Sequence, residues 1–159
     1  MKKSYLQRLR EKIGHQKVIH PAARIIIEND QHEFLFIKRG DNHKWGIPAG
    51  GLEEGENIEE CIRREVLEET NLTLGKTIVT GISSHPNLET VTYPNKDVVQ
   101  YFVINFYCKD WSGDWKPDGE ESLEIQFFSL ENIPPMHGNE KEAFDSYFYF
   151  KKHNHIKIG

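Results

Sequence analysis

Cysteine is scarce in this chain of 159 residues: Cys61 and Cys108 are the only two, they lie far apart, and they form no CxxC pair. That excludes a disulfide framework and a thiolate zinc site, and casts both as reduced core residues. Long apolar runs are lacking too. No stretch approaches the roughly 18 residues that a membrane-spanning helix needs, so no membrane partner is expected. Basic charge is short, with 20 Lys and Arg against 25 Asp and Glu for a net charge of −5. The deficit argues against an extended nucleic-acid surface. It leaves room for a polyanionic substrate, because a divalent cation can bridge two negative partners. The opening residues MKKSYLQRLREKIG have no apolar core or small-residue cleavage site behind their basic side chains. They make a poor signal peptide, and the cytoplasm is the expected location. Repeats, linkers and low-complexity segments are missing, and no histidine spacing demands a metal.

What is present is a globular composition, 37% hydrophobic and 28% charged, at a length that fits one domain over residues 1–159. Tyr5, Leu6, Leu9 and Ile13 recur at helical spacing before Gly14, predicting an amphipathic helix over residues 3–13 within an appended segment 1–14. Its expected task is packing, within the fold or between the copies of a homodimer. AARIIIE (22–28) and EFLFIKR (33–39) flank a turn-rich spacer and read as an antiparallel strand pair. TIVTGI, VVQYFVINFYC (98–108) and EIQFFSL (124–130) read as further strands of one mixed sheet, with the longest at its centre. A last helix from about Glu140 presents Phe144, Tyr147 and Phe148 inward.

The stretch from Gly50 to Leu72, GGLEEGENIEECIRREVLEETNL, packs eight glutamates into a segment that reads as a helix over most of its length. Asn57 with Glu60 three residues on makes a capping box, and Asn71 suits the left-handed closing position. At about 100° per residue with Ile58 as origin, Cys61, Ile62 and Val66 fall within roughly 80° and define the core-facing arc. Glu65 and Glu69 lie about 20° either side of that origin, and Glu68 about 80° away on the Cys61 side. Three inward carboxylates repel one another and lose hydration, so a positive partner must sit among them. Oxygen ligands at i, i+3 and i+4 on a rigid helix suit Mg²⁺ or Mn²⁺. Glu59, Glu60, Arg63 and Arg64 point elsewhere and need no function beyond solvation and local ion pairs.

From Gly50 the pattern runs glycine, five residues, Glu56, seven residues, Arg64-Glu65-Val66, one residue, Glu68-Glu69, one residue, Asn71-Leu72. It resembles the Nudix box of the MutT-like hydrolases, departing only at Asn71, where the family has glycine. The WGIPAG segment ahead of it is similar as well. The resemblance implies an α/β fold, an α/β/α sandwich around a mixed β-sheet. It also implies hydrolysis of a nucleoside diphosphate derivative with Mg²⁺ or Mn²⁺. Carried over by position, Glu65, Glu68, Glu69 and the carbonyl of Ala49 hold metal, and Arg64 pairs with Glu56 to orient the helix. The family often adds a loop glutamate, for which Glu121 is chosen over Glu120 and Glu124. Pro86, about fourteen residues beyond the box, is similar to a marker of ADP-ribose-cleaving relatives.

Candidate substrate contacts are Arg39 and Arg24, whose guanidinium forks fit phosphate oxygens, Gly50 and Gly51 of the box, and Tyr93, which can stack on a base or ribose as Trp45 can. The expected partner is a small-molecule nucleotide. Two rival readings stand beside hydrolysis: a catalytically silent Nudix-fold nucleotide sensor, which the full set of carboxylates disfavours, and an acidic helix of purely structural use.

Overall fold

The computed structural model describes residues 2–136 and 139–159. In chain order it contains α1 (Tyr5–Ile13), β1 (Val18–Ile27), β2 (Glu33–Arg39), β3 (Trp45–Gly46), β4 (Ala49–Gly51), α2 (Ile58–Thr70), β5 (Thr73–Leu74) and β6 (Ile78–Ser83). There follow α3 (Pro86–Glu89), β7 (Thr90–Thr92), β8 (Val98–Cys108), β9 (Trp111–Ser112), β10 (Ser122–Ser129), a 3₁₀ turn (Leu130–Asn132), α4 (Lys141–His153) and β11 (Lys157–Ile158). Local chemistry starts α1 and α2. Ser4 with Gln7, and Asn57 with Glu60, form reciprocal capping boxes that satisfy otherwise orphaned N–H groups. Asn71 closes α2 in the left-handed conformation at φ 65°, which asparagine tolerates better than most residues.

The main sheet runs β11-β6-β8-β1-β4, with β7 also on β8. β1 and β8 pair in parallel from Val18↔Val99 to Ile27↔Cys108, so the longest strand is central. Two expectations need correction. β1 and β2 are not an antiparallel pair within one sheet: they share a single bridge, Glu28↔Phe34, and then part. β10, the EIQFFSL segment, joins β2 and β3 in a separate three-stranded sheet. The reason lies in burial: Phe34, Leu35, Phe36 and Ile37 are all buried, so β2 hides both faces and must find its own hydrogen-bonding neighbours inside the molecule.

Alternation along β1 sorts its side chains between two cores. Ala23, Ile25 and Ile27 face α2, where Cys61, Ile62 and Val66 are fully buried. Ile26 faces α4, with Phe144 and Tyr147, whereas Phe148 is 43% exposed and is not part of the inner face. Burying an isoleucine or valine of this kind contributes about 1.5–3 kcal/mol, which holds α2 in one rotational setting. Among the described residues no helix is long and apolar enough to cross a membrane.

Candidate active site

With Ile62 and Val66 locked into the core, the same face of α2 carries Glu65 and Glu69 against β4. Contact is close: a Cβ added to Gly50 would lie 2.0 Å from Glu65 Cδ. Any side chain there would displace the carboxylate. Arg64 fixes the helix to the preceding loop, donating from Nε and Nη2 to Glu56 at 2.9 and 2.8 Å and from Nη1 to Glu65 at 2.8 Å. The Arg64 guanidinium holds the Glu56 carboxyl below the usual carboxylate range.

One carboxylate oxygen each from Glu65, Glu69 and Glu121 lie within 4.8 Å of one another. Glu69 is 5% exposed, and its Oε2 has no hydrogen-bond partner among the described residues. Burial first, then the neighbouring Glu65 charge, raises the Glu69 pKa well above its ordinary value. Burial raises Glu65 as well, against the pull of Arg64, and Glu121 rises for the same first reason. An all-oxygen donor set with an unpartnered buried oxygen is what a hard divalent cation would satisfy. The residues therefore fit such an ion.

Glu121 reaches the cluster from a turn that is braced rather than loosely tethered. Asp118 Oδ1 accepts from the N–H groups of Glu120 and Ser122 at 2.8 and 2.9 Å. The buried Ser122 hydroxyl donates to the main-chain carbonyl of Glu69 at 2.6 Å. On the other side the Gly40 N–H donates to the Glu121 carbonyl at 3.0 Å. A Cβ at Gly40 would sit 1.7 Å from the Glu120 carbonyl oxygen, so strand β2 meets this turn backbone to backbone.

These groups line a cavity of about 570 Å³ whose wall includes Arg39, Asp41, Ala49, Gly50, Glu65, Glu69, Glu120 and Glu121. Arg39 is gripped side-on by Asp41, Nε to Oδ1 at 3.1 Å and Nη2 to Oδ2 at 2.9 Å. That grip raises its pKa further and leaves the remaining guanidinium edge for an anion.

Other candidates lie elsewhere, for physical reasons. Glu68 is not in the cluster: its side chain is 53% exposed and only 3.4 Å from Arg64 Nη1, because its position on the helix wheel puts it at the flank. Arg24 is not at the cavity. β1 alternation turns it to the α4 face, where it is 4% exposed and clamped on Glu89. Tyr93 sits on the β7–β8 turn with its hydroxyl against that of Tyr101 and does not line the cavity. Gly51 is outside the lining too; its carbonyl accepts from Arg64 Nη2 at 3.2 Å. Trp45 packs edge-on against Phe128. Glu124 faces Lys38 across the strand pair.

Sequence reasoning missed Asp41, Asp118, Ser122 and Glu140. The Asp-Gly pair at 118–119 is a turn signal that could have flagged Asp118, and Asp41 stands two residues from the Arg39 it grips; Ser122 and Glu140 act through partners distant in sequence. Glu140 is buried beneath β3, accepts the Ile47 N–H at 3.2 Å, and is pushed by burial to about 7.

A family model described as a NUDIX domain matches residues 18–148. The chain is 31% identical over 138 residues to the ADP-ribose pyrophosphatase of Methanocaldococcus jannaschii, covering 84% of this chain and 76% of that one. It is 27% identical to the NAD-capped RNA hydrolase NudC of Vibrio vulnificus over 77% of this chain, spanning 43% of that protein. The crystal structure of a MutT NUDIX hydrolase from Burkholderia pseudomallei superposes with a TM-score of 0.67 at 20% identity, covering 81% of this chain and 98% of that one.

Proposed function

The chain belongs to the Nudix hydrolase family, and from that premise we propose that it is a Mg²⁺- or Mn²⁺-dependent pyrophosphohydrolase cleaving the diphosphate linkage of a nucleoside diphosphate derivative, ADP-ribose or a similar compound. The observation that carries this reading is the buried Glu69 oxygen, unpartnered among the described residues, inside a three-carboxylate cluster on the wall of a cavity that also holds an arginine. The relative named for ADP-ribose supports the substrate class.

Glu65, Glu69 and Glu121 would hold the cation, with the carbonyl of Ala49, and Glu68 would serve from the rim. When bound, such an ion neutralises diphosphate oxygens and lowers the pKa of a coordinated water. The chain's own residues do the rest. Arg39, steadied by Asp41, offers its outer guanidinium edge to a phosphate oxygen, and Gly50, bare of a side chain, leaves room for the Glu65 carboxylate beside the β4 backbone. Glu121 takes the proton of the water that attacks phosphorus, with Glu65 as the alternative base. Arg64 holds Glu65 in place from Glu56.

The test is a panel of ADP-ribose, NAD-type dinucleotides, dinucleoside polyphosphates, oxidised nucleoside triphosphates and nucleotide sugars, each with Mg²⁺, with Mn²⁺ and with chelator. Chelator-sensitive release of a nucleoside monophosphate from ADP-ribose is the expected result. Tight nucleotide binding with no turnover of any compound would favour the sensor reading instead.

A further inference from the structure

Helix α1 lies outside the matched residues 18–148, and nothing in the proposed chemistry uses it. Its first helical residue is nonetheless tied to the acidic loop that leads into α2. The Tyr5 N–H, one of the donors that a helix start leaves without an internal partner, donates to both carboxylate oxygens of Glu53 at 2.9 and 3.2 Å. An anion at that place also suits the positive end of the helix dipole. Arg8 adds a second tie, donating to Glu54 at 2.6 Å. The Tyr5 ring stacks on the buried His20 with centroids 6.0 Å apart, and His20 Nε2 lies so close to Gly51 that an added Cβ would be 2.3 Å away. α1 thus grips the loop from Gly51 to Glu54 at its two ends.

The loop passes the restraint on. The Glu53 N–H donates to Glu56 Oε1 at 2.9 Å, Glu56 takes Arg64 in a two-point grip, and Arg64 Nη1 donates to Glu65 Oε1 at 2.8 Å. From the first turn of α1 to the cluster the links are Tyr5, Glu53, Glu56, Arg64 and Glu65, each a hydrogen bond through a charged or main-chain group. We propose that α1 is a positioning element for the cation site, and that Glu53 is the positioning residue through which it acts. Without the Tyr5–Glu53 tie the loop relaxes, Arg64 loses its fixed anchor, and Glu65 no longer holds one orientation toward Glu69 and Glu121. The inference rests on the reading of those three glutamates as cation ligands.

The test measures Mn²⁺ binding to the full chain by calorimetry in the absence of substrate, with melting temperature recorded alongside. Tyr5→Pro deletes the donor N–H at a helix position where proline is tolerated. Glu53→Ala deletes the acceptor. Each should weaken Mn²⁺ binding by about threefold to tenfold, below the 10–100-fold typical of partners that touch a ligand directly, and combining them should add nothing. Tyr5→Ala keeps the N–H and loses only the ring, and Glu53→Gln keeps an acceptor oxygen; both should bind Mn²⁺ nearly as the parent does. The proposal is overturned if Tyr5→Pro and Glu53→Ala bind Mn²⁺ unchanged, if their losses add, or if Tyr5→Ala loses as much as Tyr5→Pro. Glu69→Gln separates the two levels of the argument. Unchanged Mn²⁺ binding in that variant overturns the cation site itself, whereas its loss beside unaffected Tyr5→Pro and Glu53→Ala overturns only the role of α1.

Discussion

Glu69 and Glu89 are both buried carboxylates, served by opposite faces of the same sheet, and the chain treats them in opposite ways. Glu89 is fully buried and meets the Arg24 guanidinium edge-on at 3.1 and 2.8 Å, with the Asn139 amide on the same oxygen as Arg24 Nη1. Arg24 also donates from Nε to the Asn105 side-chain oxygen and from Nη1 to the Asn139 carbonyl. Every charge there is answered from within the chain. Glu69 is 5% exposed and has Glu65 and Glu121 for neighbours, with one oxygen unpartnered among the described residues. A buried charge that is paired serves the fold. One left among like charges costs stability, and persists because the core packing of Ile62 and Val66 forces it there.

The strongest blow to this contrast is Arg24→Ala, which leaves Glu89 buried without its cation. It should destabilise the protein by about 3–5 kcal/mol in urea unfolding, whereas replacing Arg24 and Glu89 together by methionine should cost far less. A single-variant loss under about 1 kcal/mol would show that Glu89 does not depend on its partner.

Next in size is Glu69→Gln. It should lower the metal-supported rate at least about a hundredfold without lowering the melting temperature of the metal-free protein, because it relieves repulsion. Glu60→Gln, on the outer face, should leave the rate alone. A destabilised, fully active Glu69→Gln protein would place Glu69 with Glu89 as a structural charge.

Glu140 stands between the two cases, buried with one N–H partner for its carboxylate among the described residues and pushed by burial to a pKa of about 7. Its folded pKa is above the unfolded value, so the native state holds the extra proton and stability falls as pH rises through about 7. Glu140→Gln should therefore gain about 2 kcal/mol on the parent between pH values of about 5.5 and 8.5. Parallel stability curves for the two proteins would show that Glu140 is already ionised at the lower pH.

The smallest expected effect tests whether the turn before β10 belongs to the site. Glu121→Gln should lower kcat by about tenfold with little change in KM or melting temperature, the scale expected for losing a positioned base. Glu120→Gln and Glu124→Gln are the controls. Loss in either control with a normal Glu121→Gln would keep the turn's role and change the residue; three normal variants would return the base to Glu65.

Much of this site is written in local order. The capping box at Asn57, the left-handed close at Asn71 and the 3.6-residue period together determine that Glu65 and Glu69 share a face with Ile62 and Val66, because helix rotation is a property of the chain's own spacing. The spacing from Gly50 to Leu72 likewise determined the family. Only the tertiary structure decided that Glu121 completes the cluster while Glu68 stays in solvent, since that choice depends on Ser122 bonding to Glu69 and Gly40 meeting the turn across the second sheet. The same holds for Arg24. Strand alternation says that Arg24 and Ile25 face opposite ways, but which face meets α2 is settled only when helices and sheets close on one another, because burial energy is shared among segments far apart in sequence.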